Sequence, residues 1–232
     1  MKTVRSKRTL LALLVLILTL SGCQLWWPWA KKTDMTRTSP DGLYQQAVEY
    51  YQDGSYKKAI DLFQRVKEEY PLSQYALSAE LGMADAYFSA KEYPEADLSY
   101  SEFISLHPTN ENLPYAMYQI GMAHYNQIDT IDRDQTESFK ALKAFEQLAA
   151  RFPNSRFALQ AEKMIRETKK ILGEQEFYVG EFYLTNKKYQ AALRRFERIV
   201  RDYANVGLDY KANQYIIETK RRIAEEEAKK KK

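Results

Sequence analysis

Apolar residues follow two regimes along this chain. From Leu10 to Leu20 they run together as LLALLVLILTL, broken only by Thr19. From about residue 40 onward they recur at three- and four-residue spacing with charged residues between them, which predicts amphipathic helices. The second regime also repeats itself. Four stretches align, YKKAIDLFQRVKEEYP, YPEADLSYSEFISLHP, SFKALKAFEQLAARFP and YQAALRRFERIVRDYA. Each places an alanine four residues before an aromatic ring: Ala59/Phe63, Ala96/Tyr100, Ala141/Phe145 and Ala192/Phe196. Eight residues after the ring stands Pro71, Pro108 or Pro153, and Ala204 in the fourth stretch. Upstream, a small residue precedes a ring by three positions in Ala47/Tyr50, Ala84/Tyr87, Gly121/His124 and Gly180/Tyr183.

This order of small residue, ring, alanine, ring and proline is the tetratricopeptide helix–turn–helix pattern. Small residues let two helices approach, the rings fill the space between neighbouring pairs, and proline ends the second helix at the corner. One pair cannot bury its own apolar face, so stacking of units makes the core. The predicted fold is an all-α tetratricopeptide-repeat solenoid of about four helix pairs plus a C-terminal helix. Its units span about 40–73, 74–110, 111–154 and 155–205, with a partial unit at 206–228 and a basic tail at 229–232. The small residue and the alanine are 12 apart in units one, two and four but 20 apart in unit three, which places an eight-residue insertion within Asn126–Glu137. Residues 155–184 read as one long helix with Gly173 as a point of bending, and 207–228 as a last helix. Glu225, Glu226 and Glu227 each stand four residues before a lysine, an order that supports a helix end.

The apolar run at Leu10–Leu20 is eleven residues long, too short to cross a bilayer, which takes roughly 20. A basic start, an apolar middle and small residues at 21–22 make residues 1–22 a signal peptide. Leu20-Ser21-Gly22-Cys23 is similar to the lipobox of bacterial lipoproteins. That similarity implies a lipid on the Cys23 thiol, cleavage before it and acylation of the new amino group. Residues 23–39 then form a lipidated tether. Several acyl chains together anchor stably where one does not. All three tryptophans, Trp26, Trp27 and Trp29, lie in this tether. They read as an interfacial collar on the headgroups, the alternative being a simple tether that contains Trp. Gln24 stands where inner-membrane lipoproteins often carry Asp, which implies an outer-membrane destination at the periplasmic face.

Composition narrows the function by exclusion. The chain has 35 Lys and Arg against 31 Asp and Glu, and four of the basic residues lie in the first eight positions. Without those four the charges balance, so no nucleic-acid partner is expected. One cysteine permits no internal disulfide. The two histidines, His107 and His124, fall in different units and read as packing residues. No phosphate loop, HExxH motif or paired ligand spacing occurs, and the Asp129, Asp132, Asp134 stretch lacks the glycine and closing glutamate of a calcium loop. No catalytic residue, metal or cofactor is expected, and the chain is not read as an enzyme.

What remains is a surface. In this register the first helices line a concave groove with Tyr44, Val48, Tyr51, Leu81, Asp85, Phe88, Tyr115, Tyr118, Met122 and Tyr125. Its rings suit an extended, partly apolar peptide, and the groove lacks the Lys/Asn/Arg set that clamps peptide carboxylates. The same rings also suit packing within a repeat, and sequence leaves both roles open. Arg194, Arg195 and Arg198 form the basic face of LRRFERIVRDY.

Several stretches resemble the BamD (ComL, YfiO) family, lipoproteins of the outer-membrane β-barrel assembly (BAM) machinery. They are PYAMYQIGMAHYNQ, the DRDQT loop, FEQLAARFPNSRFALQAEKMI and EFYVGEFYLTNKKYQAALRRFERIVRDY. The resemblance covers nearly everything after Cys23. It implies an outer-membrane scaffold whose C-terminal repeats bind the POTRA region of a BamA-like barrel protein. It implies N-terminal repeats that receive unfolded outer-membrane proteins through an aromatic C-terminal signal, with other Bam lipoproteins alongside. It also implies that Arg195 contacts the barrel partner, so that Arg195→Glu weakens the complex and leaves the array folded. The alternative is another lipidated repeat protein, such as a type IV pilus pilotin.

Replacing Cys23 by Ala is expected to move the protein out of the outer-membrane fraction into the soluble or inner-membrane fraction. Density-gradient fractionation of the envelope tests this, and an unchanged outer-membrane band would rule out the anchor.

Overall fold

A computed structural model describes residues 38–231, and the signal peptide, Cys23 and the tryptophan-rich tether lie outside them. Nine helices follow in order among the described residues. They are α1 (Pro40–Gln52), α2 (Tyr56–Glu69), α3 (Ala76–Ser89), α4 (Tyr93–Leu106), α5 (Leu113–Tyr125), α6 (Thr136–Arg151), α7 (Arg156–Thr185), α8 (Tyr189–Asp202) and α9 (Asp209–Lys230). Each packs mainly on its neighbours in the chain, and α5 also packs on α7. This is an all-α solenoid of tetratricopeptide type. No described helix is long and apolar enough to cross a membrane.

The repeated small and large residues build its interior. Ala59, Ala96, Ala141 and Ala192 are fully buried, as are Tyr100, Phe145 and Phe196, and Phe63 nearly so. The rings press on glycine. A Cβ added to Gly82 would lie 2.7 Å from Phe63, and one on Gly180 would lie 2.6 Å from Phe196. Gly121 faces Phe145 in the same way. Only the absence of a side chain admits the ring at these points.

The two kinds of corner have separate local causes. Between the helices of a pair, Gly54, Lys91 and Lys187 occupy equivalent positions with φ of 75°, 63° and 57°. Each is followed by a residue whose N–H reaches back five residues: Ser55 to Tyr50 O at 2.8 Å, Glu92 to Tyr87 O at 3.0 Å and Lys188 to Tyr183 O at 2.8 Å. This left-handed turn closes orphan carbonyls of the first helix. At the other corner Tyr70, His107 and Phe152 leave the helical region with φ between −136° and −124°, as expected before proline. Tyr203 adopts φ −125° although Ala204 follows it, so packing reproduces the corner without the ring.

The insertion of unit three is the loop 126–135, closed by its own polar groups. Gln135 is buried and its amide donates to Thr130 O at 2.9 Å, while Ser138 Oγ donates to Gln135 Oε1 at 2.7 Å. Asp129 and Asp134 accept from the backbone N–H of Thr130 and Thr136 at 2.8 and 2.9 Å. His124 sits between Glu137 at 2.7 Å and Asp97 at 3.5 Å, and His107 meets Glu80 at 2.7 Å. Ser155 caps α7 by accepting from Ala158 N at 3.0 Å. The helix then continues unbroken through Gly173, where a Cβ would lie 2.8 Å from Leu208. Gly173 therefore makes room for the chain leading into α9. Helix α9 runs on into the basic tail, with Lys230 bound to Glu226 at 3.1 Å.

Two substitutions in unit four test this account. Gly180→Ala is expected to lower stability by about 1–3 kcal/mol through overpacking against Phe196. Lys187→Gly is expected to raise it by about 1 kcal/mol by relieving the left-handed backbone. Chemical unfolding of both variants measures the two signs.

Candidate functional site

Helices α1 and α3 leave an open cleft between them, where the small residues Ser78 and Gly82 of α3 face the larger side chains of α1. Its walls are Tyr44, Val48 and Tyr51 from α1 and Ser78, Leu81, Gly82 and Asp85 from α3, with Phe63 at the base and a volume of about 290 Å3. Positions 44, 48 and 51 share one face of α1, and 78, 81, 82 and 85 one face of α3. Tyr44 is held from both sides, tilted on Phe63 at 5.7 Å and stacked on Tyr75 at 5.3 Å. Tyr51 is fixed through its hydroxyl, 2.9 Å from Ser89 Oγ. The rings are therefore positioned before anything enters. Of the ten groove residues expected from sequence, Tyr44, Val48, Tyr51, Leu81 and Asp85 come together here. Phe63, Ser78 and Gly82 join them unforeseen, although Gly82, a glycine in mid-helix, marks a close approach in the sequence itself.

Asp85 is the charged group of this cleft. The hydroxyls of Tyr100 and Tyr115 both donate to its Oδ1, Tyr115 at 2.6 Å. Burial raises the Asp85 carboxyl above its ordinary value, and the two phenol hydrogen bonds pull the other way without cancelling that rise. Burial, and then the Asp85 charge, likewise raise the two phenols, which stay protonated donors.

The other expected groove residues are placed elsewhere. Phe88 lies edge-on to Tyr93 at 5.4 Å. Tyr115 and Tyr118 pack on Phe157 of α7 at 5.5 and 5.8 Å, and Tyr118 also on Phe145 at 5.8 Å. Met122 joins the same cluster, and the Tyr125 hydroxyl donates to Glu167 at 3.3 Å. The first half of α7 thus lies against α5 and takes up the rings of unit three, so the open cleft belongs to the first two units.

The arginines of α8 belong to a second constellation. Glu176 of α7 is buried, and its carboxylate accepts from Arg195 Nη1 at 3.0 and 3.2 Å and from Arg198 Nη1 at 2.8 Å. Both arginines remain partly exposed, and Arg194 is exposed beside them. The expectation that Arg195→Glu leaves the array undisturbed is corrected here. That change would set a second carboxylate against a buried one and remove one of its two cations. Glu176 was not foreseen, because its partners lie 19 and 22 residues away.

The raised Asp85 carboxyl has a stability consequence. A carboxyl raised on folding weakens the native state once it ionises, so the penalty is absent below the ordinary value near 3.8 and grows as pH rises through the folded value. Asp85→Asn keeps an acceptor for both phenols and is expected to melt higher than the parent at pH 7, with the gap closing toward pH 3.8. Asp85→Leu strands both hydroxyls and is expected to lose about 1–3 kcal/mol. Thermal melts of the three proteins across pH measure both effects.

Comparison with known proteins agrees with this architecture. The profile of the YfiO family, described as outer membrane lipoprotein, matches residues 36–232. The chain is 32% identical over 197 residues to outer membrane protein assembly factor BamD of Rickettsia prowazekii (strain Madrid E), covering 84% of this chain and 76% of the relative. It is 30% identical over 199 residues to the same factor of Neisseria meningitidis serogroup A, covering 81% and 74%. Against that of Vibrio cholerae serotype O1 it is 27% identical over 174 residues, covering 71% and 72%. Matched by that family over residues 36–232, which take in every described residue, the chain belongs to the YfiO, or BamD, family of outer membrane lipoproteins.

Proposed function

We propose that this chain is a lipid-anchored scaffold subunit of the machinery that assembles β-barrel proteins in the outer membrane. It is held at the periplasmic face through Cys23, receives unfolded barrel proteins at its N-terminal units and binds a BamA-like partner through its C-terminal units. The observation that carries this reading is the contrast between the two ends of the array. The cleft between α1 and α3 is open and lined by rings already held in place, so a segment that enters it buries apolar area at little ordering cost. In unit three the first-helix rings pack on Phe145 and on Phe157 of α7, and unit four presents the arginines of α8, where the Glu176 carboxylate fixes two guanidinium groups for planar contact with a partner's carboxylate. Family membership supports the assembly role, since the relatives bear the name of outer membrane protein assembly factors.

Arg194 offers a cleaner probe of the partner face than Arg195, because it stands outside the Glu176 network. Arg194→Glu is expected to leave stability within about 0.5 kcal/mol and to reduce recovery of a POTRA-containing barrel protein in a pull-down from solubilised envelopes. Arg195→Glu is expected to lower both recovery and stability. Recovery of a secretin with no barrel protein would overturn the reading in favour of a pilotin.

A further inference from the structure

Asp85 is a carboxylate whose local needs are half met. Both phenol donors reach the same oxygen, Oδ1, and no described residue bonds to Oδ2. None of the lysines or arginines that form ion pairs among the described residues pairs with Asp85. Yet Asp85 lines the open cleft, among walls otherwise built of Tyr44, Val48, Tyr51 and Leu81. A partly desolvated carboxylate without a cation is costly to keep, and the same loss of water strengthens its attraction for any cation that arrives. Tyrosine faces beside it favour a cation further.

We infer that this cleft selects an extended polypeptide segment in which a lysine or arginine stands within two or three residues of an apolar side chain, with Asp85 as the specificity-determining group that takes the cation. The inference rests on the proposal that the cleft receives unfolded protein, and it names the kind of segment. The spacing follows from geometry. Tyr44 and Tyr51 are seven residues apart on a helix, roughly 10 Å, and an extended chain covers that span in about three residues. Apolar side chains fill the ring-lined part while the basic one reaches Oδ2. The polarity also excludes a class of ligand, since a free C-terminal carboxylate at this point would meet a like charge with no cation to offset it.

The test uses the full-length protein in detergent and two fluorescein-labelled nine-residue peptides with amidated C-termini. Both carry flanking aromatic and leucine residues and differ only in a central lysine or norleucine. Fluorescence anisotropy is expected to show the lysine peptide binding about tenfold tighter or more at low salt. Asp85→Asn, with its melt recorded alongside, is expected to remove that preference while still binding the norleucine peptide. Equal binding of the two peptides by the unmodified protein would overturn the inference and leave the cleft as a general docking site. A preference that survives in Asp85→Asn would also overturn it, by moving the cation elsewhere. Binding of neither peptide would overturn both the inference and the cleft reading. Self-association that Asp85→Asn abolishes, without peptide binding, would assign the cleft to a second copy and likewise overturn it.

Discussion

The array depends on one repeated contact, a large ring on one helix seated against a residue with little or no side chain on the next. Phe63 meets Gly82, Phe145 meets Gly121 and Phe196 meets Gly180. Interior packing at crystal-like density leaves no slack at these points, so the ring sets how close the helices come and thereby the pitch of the stack. Two of these contacts lie within a unit, while Phe63 and Gly82 join units one and two. That difference has a consequence for the surface. Because Gly82 lets α3 settle on the edge of Phe63, the first two first-helices approach closely enough to share a cleft and remain far enough apart to leave it open. The contact that builds the solenoid also builds its open cleft.

Much of this was legible because it is local. The alanine–ring interval, the small residue 12 positions upstream and the corner proline all concern residues within two adjacent helices, and the two helices given bounds from sequence, 155–184 and 207–228, are found at Arg156–Thr185 and Asp209–Lys230. The turns were legible only in part. Gly54 announces a left-handed residue, but Lys91 and Lys187 hold the same backbone without any compositional mark, because the surrounding hydrogen bonds impose it. The site was less legible still. Tyr118 carries the same spacing as a groove residue and is spent on Phe145 and Phe157, because α7 folds back over α5. That return depends on a helix of 30 residues and a contact 39 positions along the chain, which no repeat register encodes.

Helix α7 therefore divides the molecule by chemistry. Where short first helices alternate with short second helices, the concave face stays exposed. Where α7 extends beyond one unit, its N-terminal half covers the rings of unit three and its C-terminal half supplies Gly180 and Glu176 to unit four. The ring-lined cleft thus lies at one end of the array and the α8 guanidinium groups at the other.

The two carboxylates recessed in the array make the same point at the scale of single residues. Glu176 is buried with two arginines, and its charge is answered within the fold, as a structural ion pair requires. Asp85 is given two neutral phenols on one oxygen and no cation, although its setting raises the cost of its charge. Consistency across levels is what makes a sequence specify a structure, and departures from it concentrate where function overrides stability. A leucine or alanine at position 85 would suit an inert repeat interior better, were the two tyrosines replaced with it. Keeping the carboxylate and both phenols retains a charge that the fold neither needs nor satisfies, and that charge faces the one ring-lined cleft between α1 and α3.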